Sequence, residues 1–239
     1  MEIDNNTRWE MTAILNRLKW YLTDLQMMGI SDLPMKPRQH VTQGSDDRRN
    51  TSDRVNPEQA LFDIREDIGD CTRCRLHLSR TKIVYGEGAP RSRLIFVGEG
   101  PGFEEDQQGR PFVGRAGKLL DKMIKALDFS RGDVYIANVV KCRPPDNRTP
   151  RQNEMQMCSQ FLFRQLEAIA PEVICALGSC AAQTLLATSK PISGLRGKRH
   201  VWRGIPLVCT YHPAYLLRNP SQKASSWLDL LVIRGILDA

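Results

Sequence analysis

The stretch RLIFVGEGPGFEEDQQGRPFVGRAGKLLDKMIKAL, residues 93–127, decides the fold. It opens on RLIFVGE (93–99), an apolar run of strand length, and ends on GKLLDKMIKAL (117–127), whose apolar residues recur at helical spacing. A buried strand that passes through a Gly-rich loop into a helix is the first half of a βαβ unit. The alternation continues downstream. Strand DVYIANVV (133–140) leads through a Pro-rich loop to a helix over 152–170, then strand EVICALG (172–178) and helix SCAAQTLLA (179–187). A β-ribbon in KRHVWRGIPLVCTYH (198–212) and a terminal helix near 221–237 follow, and a helix over 57–68 precedes the whole. The pattern predicts an α/β domain of three layers, helices covering a central, mostly parallel four-stranded sheet. Ligands of such sheets sit beyond the carboxyl ends of the strands.

Outward from this core, residues 7–30 place Ile14, Leu18, Leu22 and Leu25 on one helical face, which predicts an amphipathic helix ending near Gly29. Residues 31–56 mix both charges and carry few large apolar side chains, the composition of a flexible linker. Three segments result: an N-terminal helix in 1–30, a linker over 31–56 and the main domain over 57–239. With 34 Lys and Arg against 27 Asp and Glu the formal charge is +7, which suits a polyanionic partner. The polar start MEIDNNTRWE lacks the pattern of a signal peptide, and no apolar run reaches membrane-spanning length. A cytoplasmic protein without membrane contact is expected.

In that reducing compartment the seven cysteines do not predict a disulfide framework. Cys175 and Cys209 lie inside apolar strands and Cys180 opens an apolar helix, where a free thiol acts as a small hydrophobe. Cys71 and Cys74 form a C-x2-C pair, while Cys142 and Cys158 bracket the Pro-rich loop. Four thiolates from these positions suit either zinc or an iron-sulfur cluster, and spacing alone leaves both open.

The carboxyl ends of the predicted strands carry the unusual residues. GEGPGFEEDQQGRPFVGRAG (98–117) offers glycines for close backbone approach but matches neither nucleotide fingerprint of Gly-rich loops. Asn138 ends the second strand, and YHPAYLLRNP (211–220) follows the last. The ordered set of C-x2-C, G-E-x-P-G, G-R-P-F-V-G, N-x-x-K-C-R-P-P, a further Cys and H-P-A-x-L-L-R, between Cys71 and Leu237, strongly resembles the family 4 uracil-DNA glycosylases.

The resemblance implies a monofunctional DNA glycosylase that flips uracil out of single- or double-stranded DNA and hydrolyses its N-glycosidic bond, for base excision repair. It implies a 4Fe-4S cluster on Cys71, Cys74, Cys142 and Cys158 in a structural role. Asn138 would read the uracil edge and Phe112 stack on its face, with Gly98 and Gly102 letting the backbone close on the base. His212 would donate to uracil O2, where negative charge collects as the bond breaks. For the water, Glu99 is the first candidate and Glu105 the second. The family 1 branch uses an Asp at the next place, but here that place is Gly100, so its role does not carry over. Leu216 would fill the gap left by the flipped base, with Leu217 as runner-up. Arg115, Arg218 and the helix start at Ser179 would hold phosphates. A nucleoid-associated monomer of bacterial or archaeal type is expected, its N-terminal helix free to contact a repair or replication protein.

Three rivals remain at this point. A related superfamily member traps uracil-DNA covalently through a His close behind the Asn138 position, but CRPPDNRTP (142–150) contains none. A noncatalytic iron-sulfur DNA-binding module and a zinc-stabilised nucleotide hydrolase are the others.

Overall fold

The computed structural model describes residues 56–239. The helix expected over 7–30 and the linker over 31–56 lie outside these, apart from Asn56.

The first described helix, α1 (Pro57–Ile68), starts where the Asn56 side chain accepts from the Glu58 N–H and Pro57 presets the first turn. Its stripe of Leu61, Ile64 and Ile68 is buried. Strands β1 (Glu87–Gly88) and β2 (Leu94–Gly98) follow, then helices α2 (Phe103–Gln108) and α3 (Arg115–Lys125), then strand β3 (Tyr135–Asn138). The long helix α4 (Gln152–Ile169) leads to β4 (Val173–Leu177), α5 (Ser179–Leu186) and α6 (Ile192–Leu195). Strands β5 (Arg199–Trp202) and β6 (Ile205–Thr210) form the expected ribbon, and α7 (Pro213–Arg218) and α8 (Lys223–Leu237) complete the unit.

The six strands lie in the order β1-β3-β2-β4-β6-β5. The central four, β3, β2, β4 and β6, are parallel, as the alternating pattern predicts. Short antiparallel strands flank them, β1 on β3 and β5 on β6. Alternate residues of each parallel strand feed two cores. Ile95, Val97, Ile174 and Ala176 pack beneath α1, α4 and α5, while Leu94, Phe96, Val173 and Cys175 pack beneath α3 and α8. Burial on both faces is why β2 and β4 read as unbroken apolar runs. Cys175, Cys180 and Cys209 are buried within these cores, and burial pushes the Cys180 and Cys209 thiols up to about 12.

The loop over 98–117 contains a helix that its glycines conceal. Glu105, third residue of α2, accepts from the Gly102 N–H at 3.1 Å and so caps its own helix.

Candidate functional site

A pocket of about 510 Å³ opens at the carboxyl ends of the parallel strands, where sheets of this kind bind ligands. β2 and β3 end in register, with Gly98 opposite Asn138. The Asn138 side chain is buried, and its Oδ1 has no hydrogen-bond partner among the described residues. An orphaned buried acceptor is costly, so one that lines a pocket marks the place of a ligand donor.

Phe112 lines the same pocket. Its backbone is left-handed (φ 51°), an unusual state for a bulky residue and one that collects at functional sites. Helix α3 approaches this residue closely: a Cβ on Gly117 would stand 1.8 Å from the Phe112 carbonyl oxygen. Gly98 keeps the space between Asn138 and Phe112 open. A Cβ there would lie 2.4 Å from Asn138 Oδ1 and 2.6 Å from the Phe112 ring.

His212 closes the site, its ring centroid 5.5 Å from that of Phe112 and tilted by 33°. The imidazole Nδ1 accepts from the Ala214 N–H at 3.1 Å, capping α7. Desolvation, helped by the Arg218 charge, pulls its pKa down to about 4. At neutral pH the ring is therefore uncharged, and with Nδ1 accepting from Ala214 its proton lies on Nε2.

The two glutamates divide clearly. Glu105 spends its carboxylate on the loop: Oε1 accepts from Val113 and Gly114 N–H at 2.9 Å each, and Oε2 from Gly102. Glu99 lines the pocket half-buried, and its carboxylate has no hydrogen-bond partner among the described residues. Burial raises its pKa.

Of the remaining expected site residues, Gly102 and Arg218 line the pocket, but the Gly102 N–H is already committed to Glu105. Arg115 and Ser179 are exposed at the first turns of α3 and α5, outside the pocket wall. The Leu216 side chain is buried in the core beneath α3 and α8, whereas the adjacent Leu217, the runner-up, is the half-buried residue of the pair.

A second, small cavity of about 20 Å³ lies where the two ends of the Pro-rich loop meet. Cys71, Cys74, Cys142 and Cys158 all line it, with Ile68, Ile83 and Phe161 as an apolar shell. Arg80 donates to Cys142 Sγ at 3.4 Å, Arg73 to Cys71 Sγ at 3.5 Å, and the Lys141 backbone N–H to Cys158 Sγ at 3.3 Å. Donors aimed at sulfur suit thiolates. Burial pushes the Cys142 thiol up to about 12 and raises Cys74 and Cys158. Among the described residues no three His, Cys, Asp or Glu side chains come together to hold one metal ion. The lining offers four thiols and no His, Asp or Glu side chain, an all-sulfur donor set of the kind that holds zinc or an iron-sulfur cluster.

Residues 85–232 match the family described as the uracil DNA glycosylase superfamily. The chain belongs to this superfamily. Its relatives include the type-4 uracil-DNA glycosylase of Thermotoga maritima, 49% identical over 168 residues that cover 70% of this chain and 88% of the relative. The type-4 enzyme of Sulfurisphaera tokodaii is 44% identical over 186 residues, 74% of this chain and 84% of that protein. That of Archaeoglobus fulgidus is 44% identical over 170 residues, 68% and 85%.

The pocket of this superfamily member also contains residues that sequence reasoning did not single out: Asn147, Arg148, Thr149 and Tyr215. The first three belong to the loop between Cys142 and Cys158. Arg148 grips buried Glu154 with two bonds of 2.8 and 2.9 Å, and Glu154 also accepts from the Arg151 N–H at 2.7 Å. Asp146 and Asn147 turn the loop through left-handed conformations, which their side chains tolerate. The D-N pair after P-P was the available signal. In this glycosylase fold Gly98→Ala is expected to slow excision about 10²-fold, because Asn138 and Phe112 must both retreat from the new methyl. Single-turnover kinetics on a uracil oligonucleotide would read the loss.

Proposed function

We propose that this chain is a monofunctional uracil-DNA glycosylase acting on single- or double-stranded DNA and leaving an abasic site for base excision repair. The observation that carries the reading is the pairing, in one pocket, of an orphaned amide acceptor on Asn138 with a neutral imidazole donor on His212. A flipped uracil between them would give its N3–H to Asn138 Oδ1, stack on Phe112, and place O2 toward His212 Nε2–H. As the N-glycosidic bond breaks, electrons flow into the base and the charge on O2 meets a donor that needs no reorganisation. Glu99 is assigned to the water. Its unpartnered carboxylate takes a proton as the oxygen bonds to C1′, whereas Glu105 orders the loop beneath Phe112. Glu99→Gln should slow single-turnover excision by about 10²-fold without altering the melting temperature, as expected for loss of a general base. A rate within twofold of the parent would move the assignment elsewhere.

Leu217 takes the role first expected of Leu216, entering the stack beside the vacated site. Arg218 would hold the phosphate nearest the pocket, with Arg115 and Ser179 reserved for the flanking strand. The four-cysteine cavity is assigned a 4Fe-4S cluster, whose chemistry here is to cross-link the Pro-rich loop, α4 and the chain after α1. Its support is the all-thiolate donor set around one cavity, with N–H donors directed at three of the sulfurs. The unit 57–239 would carry the activity as a monomer, with the N-terminal segment free for a protein contact. No helix among the described residues is long and apolar enough to cross a membrane. A cytoplasmic, nucleoid-associated enzyme suits its net charge of +7.

The test is incubation of the purified protein with a labelled single-stranded oligonucleotide containing one uracil, followed by hot alkali. A cut at the uracil, absent from a thymine control, is the expected result. Intact strands from a protein with full iron content would overturn the reading.

A further inference from the structure

Lys141 stands between Asn138 and the cluster-ligand candidate Cys142, and its side chain is fully buried. Its Nζ donates to the Asn138 carbonyl oxygen at 3.0 Å and to Gln165 Oε1 at 2.6 Å. The Gln165 amide is itself fixed, because its Nε2 donates to the Tyr85 carbonyl at 3.1 Å and to the Tyr135 hydroxyl at 3.3 Å. Both acceptors of the lysine are neutral, and among the described residues no carboxylate pairs with it. A buried ammonium without an anion is strongly disfavoured. The four-cysteine cavity lies directly alongside, lined by Lys141 itself, and the same residue's backbone N–H reaches Cys158 Sγ.

Resting on the glycosylase reading, we infer that Lys141 is a positioning residue that pins the uracil-reading end of β3 to the cysteine cavity, and that its buried charge offsets the negative charge of four thiolates and their cluster. Each half explains a feature the other leaves open. A methionine of similar length would leave the Asn138 carbonyl and Gln165 Oε1 buried without a donor, so the hydrogen bonds account for a polar head. They do not account for a charged one. The charge is accounted for by the cavity, where net charge and donors near sulfur set the electron affinity of a bound cluster. The connection runs over four residues, so whatever occupies the cavity bears on the amide that meets the base.

The experiment compares purified, cluster-loaded wild type with Lys141→Met. The reduction potential is followed by visible absorbance and electron paramagnetic resonance, and single-turnover excision and oligonucleotide affinity are measured on the same preparations. The variant is expected to show a more negative potential, because the reduced cluster, one charge more negative, loses more stabilisation from the cation than the oxidised one does. It should also excise uracil at least tenfold more slowly, while DNA affinity changes less than threefold. An unmoved potential overturns the charge pairing; an unmoved rate at equal iron content overturns the tie to Asn138. Should Lys141→Met fail to fold, Gln165→Glu places a carboxylate beside Nζ in nearly the same shape. It too should lower the potential and slow excision, and no change in either would overturn the proposal. Wild type that excises nothing would overturn the glycosylase reading and the tie to the uracil-reading strand, whatever the potentials show.

Discussion

Asn138→Ala is expected to reduce uracil excision by between about 10² and 10⁴-fold while leaving the protein as stable as before, or more so. The two halves have one cause. Sites built to hydrogen-bond a substrate lose most of their discrimination when that group is removed. The same Oδ1 is buried and unpartnered before the base arrives. In the free protein it forfeits about 1–3 kcal/mol of solvation, which the alanine variant recovers. The backbone carbonyl of residue 138 still accepts from Lys141, so the strand end keeps its anchor. Single-turnover rates and thermal melting, measured side by side, check the pair. A fall in both would point to a core role for Asn138, and its assignment to the base would fail.

How far the chain announces this site depends on the kind of signal. The parallel core could be read directly, because LIFVG and VICAL are buried on both faces and leave no polar alternation to confuse with another element. Asn138, Phe112 and His212 could be nominated from their motifs, since each lies just past a strand end. What the sequence did not show was direction. Two adjacent leucines on a six-residue helix look alike in a string, and only packing against the core beneath α3 and α8 turns Leu216 inward and leaves Leu217 nearer the surface. The glutamates likewise differ by partners rather than type: Glu105 is consumed by three backbone N–H groups that α2 and the loop bring to it. Lys141 was hidden for another reason. A lysine in a basic loop reads as solvated, and its burial becomes visible only once Gln165, from 24 residues away, closes over its head. Long-range closure of this kind has no periodicity to detect.

His212→Ala should lower the single-turnover rate by about 10² to 10³-fold, the range typical of removing one preorganised donor at a developing oxyanion. The substitution also strips the acceptor that caps α7, so some stability is lost with it, about 1 kcal/mol. His212→Asn separates the effects, because asparagine restores a cap acceptor but cannot place a donor where Nε2 stands. It should melt near the wild type and still be slow. The pH dependence carries a second signature. With its pKa drawn down to about 4, His212 stays neutral through the range where an ordinary histidine titrates near 6.5. Excision limited by this donor should show no histidine step between pH 8 and pH 5. Stability behaves differently. Below pH 6.5 the unfolded chain takes up the proton while the folded protein refuses it until about pH 4, so folding loses free energy as pH falls across that interval. The difference in melting temperature between wild type and His212→Asn should therefore shift against the wild type from pH 6.5 down to pH 4. A constant difference would mean that the folded protein takes up this proton as readily as the unfolded chain, and His212 would then be charged below about pH 6.5 instead of remaining a neutral donor down to about pH 4.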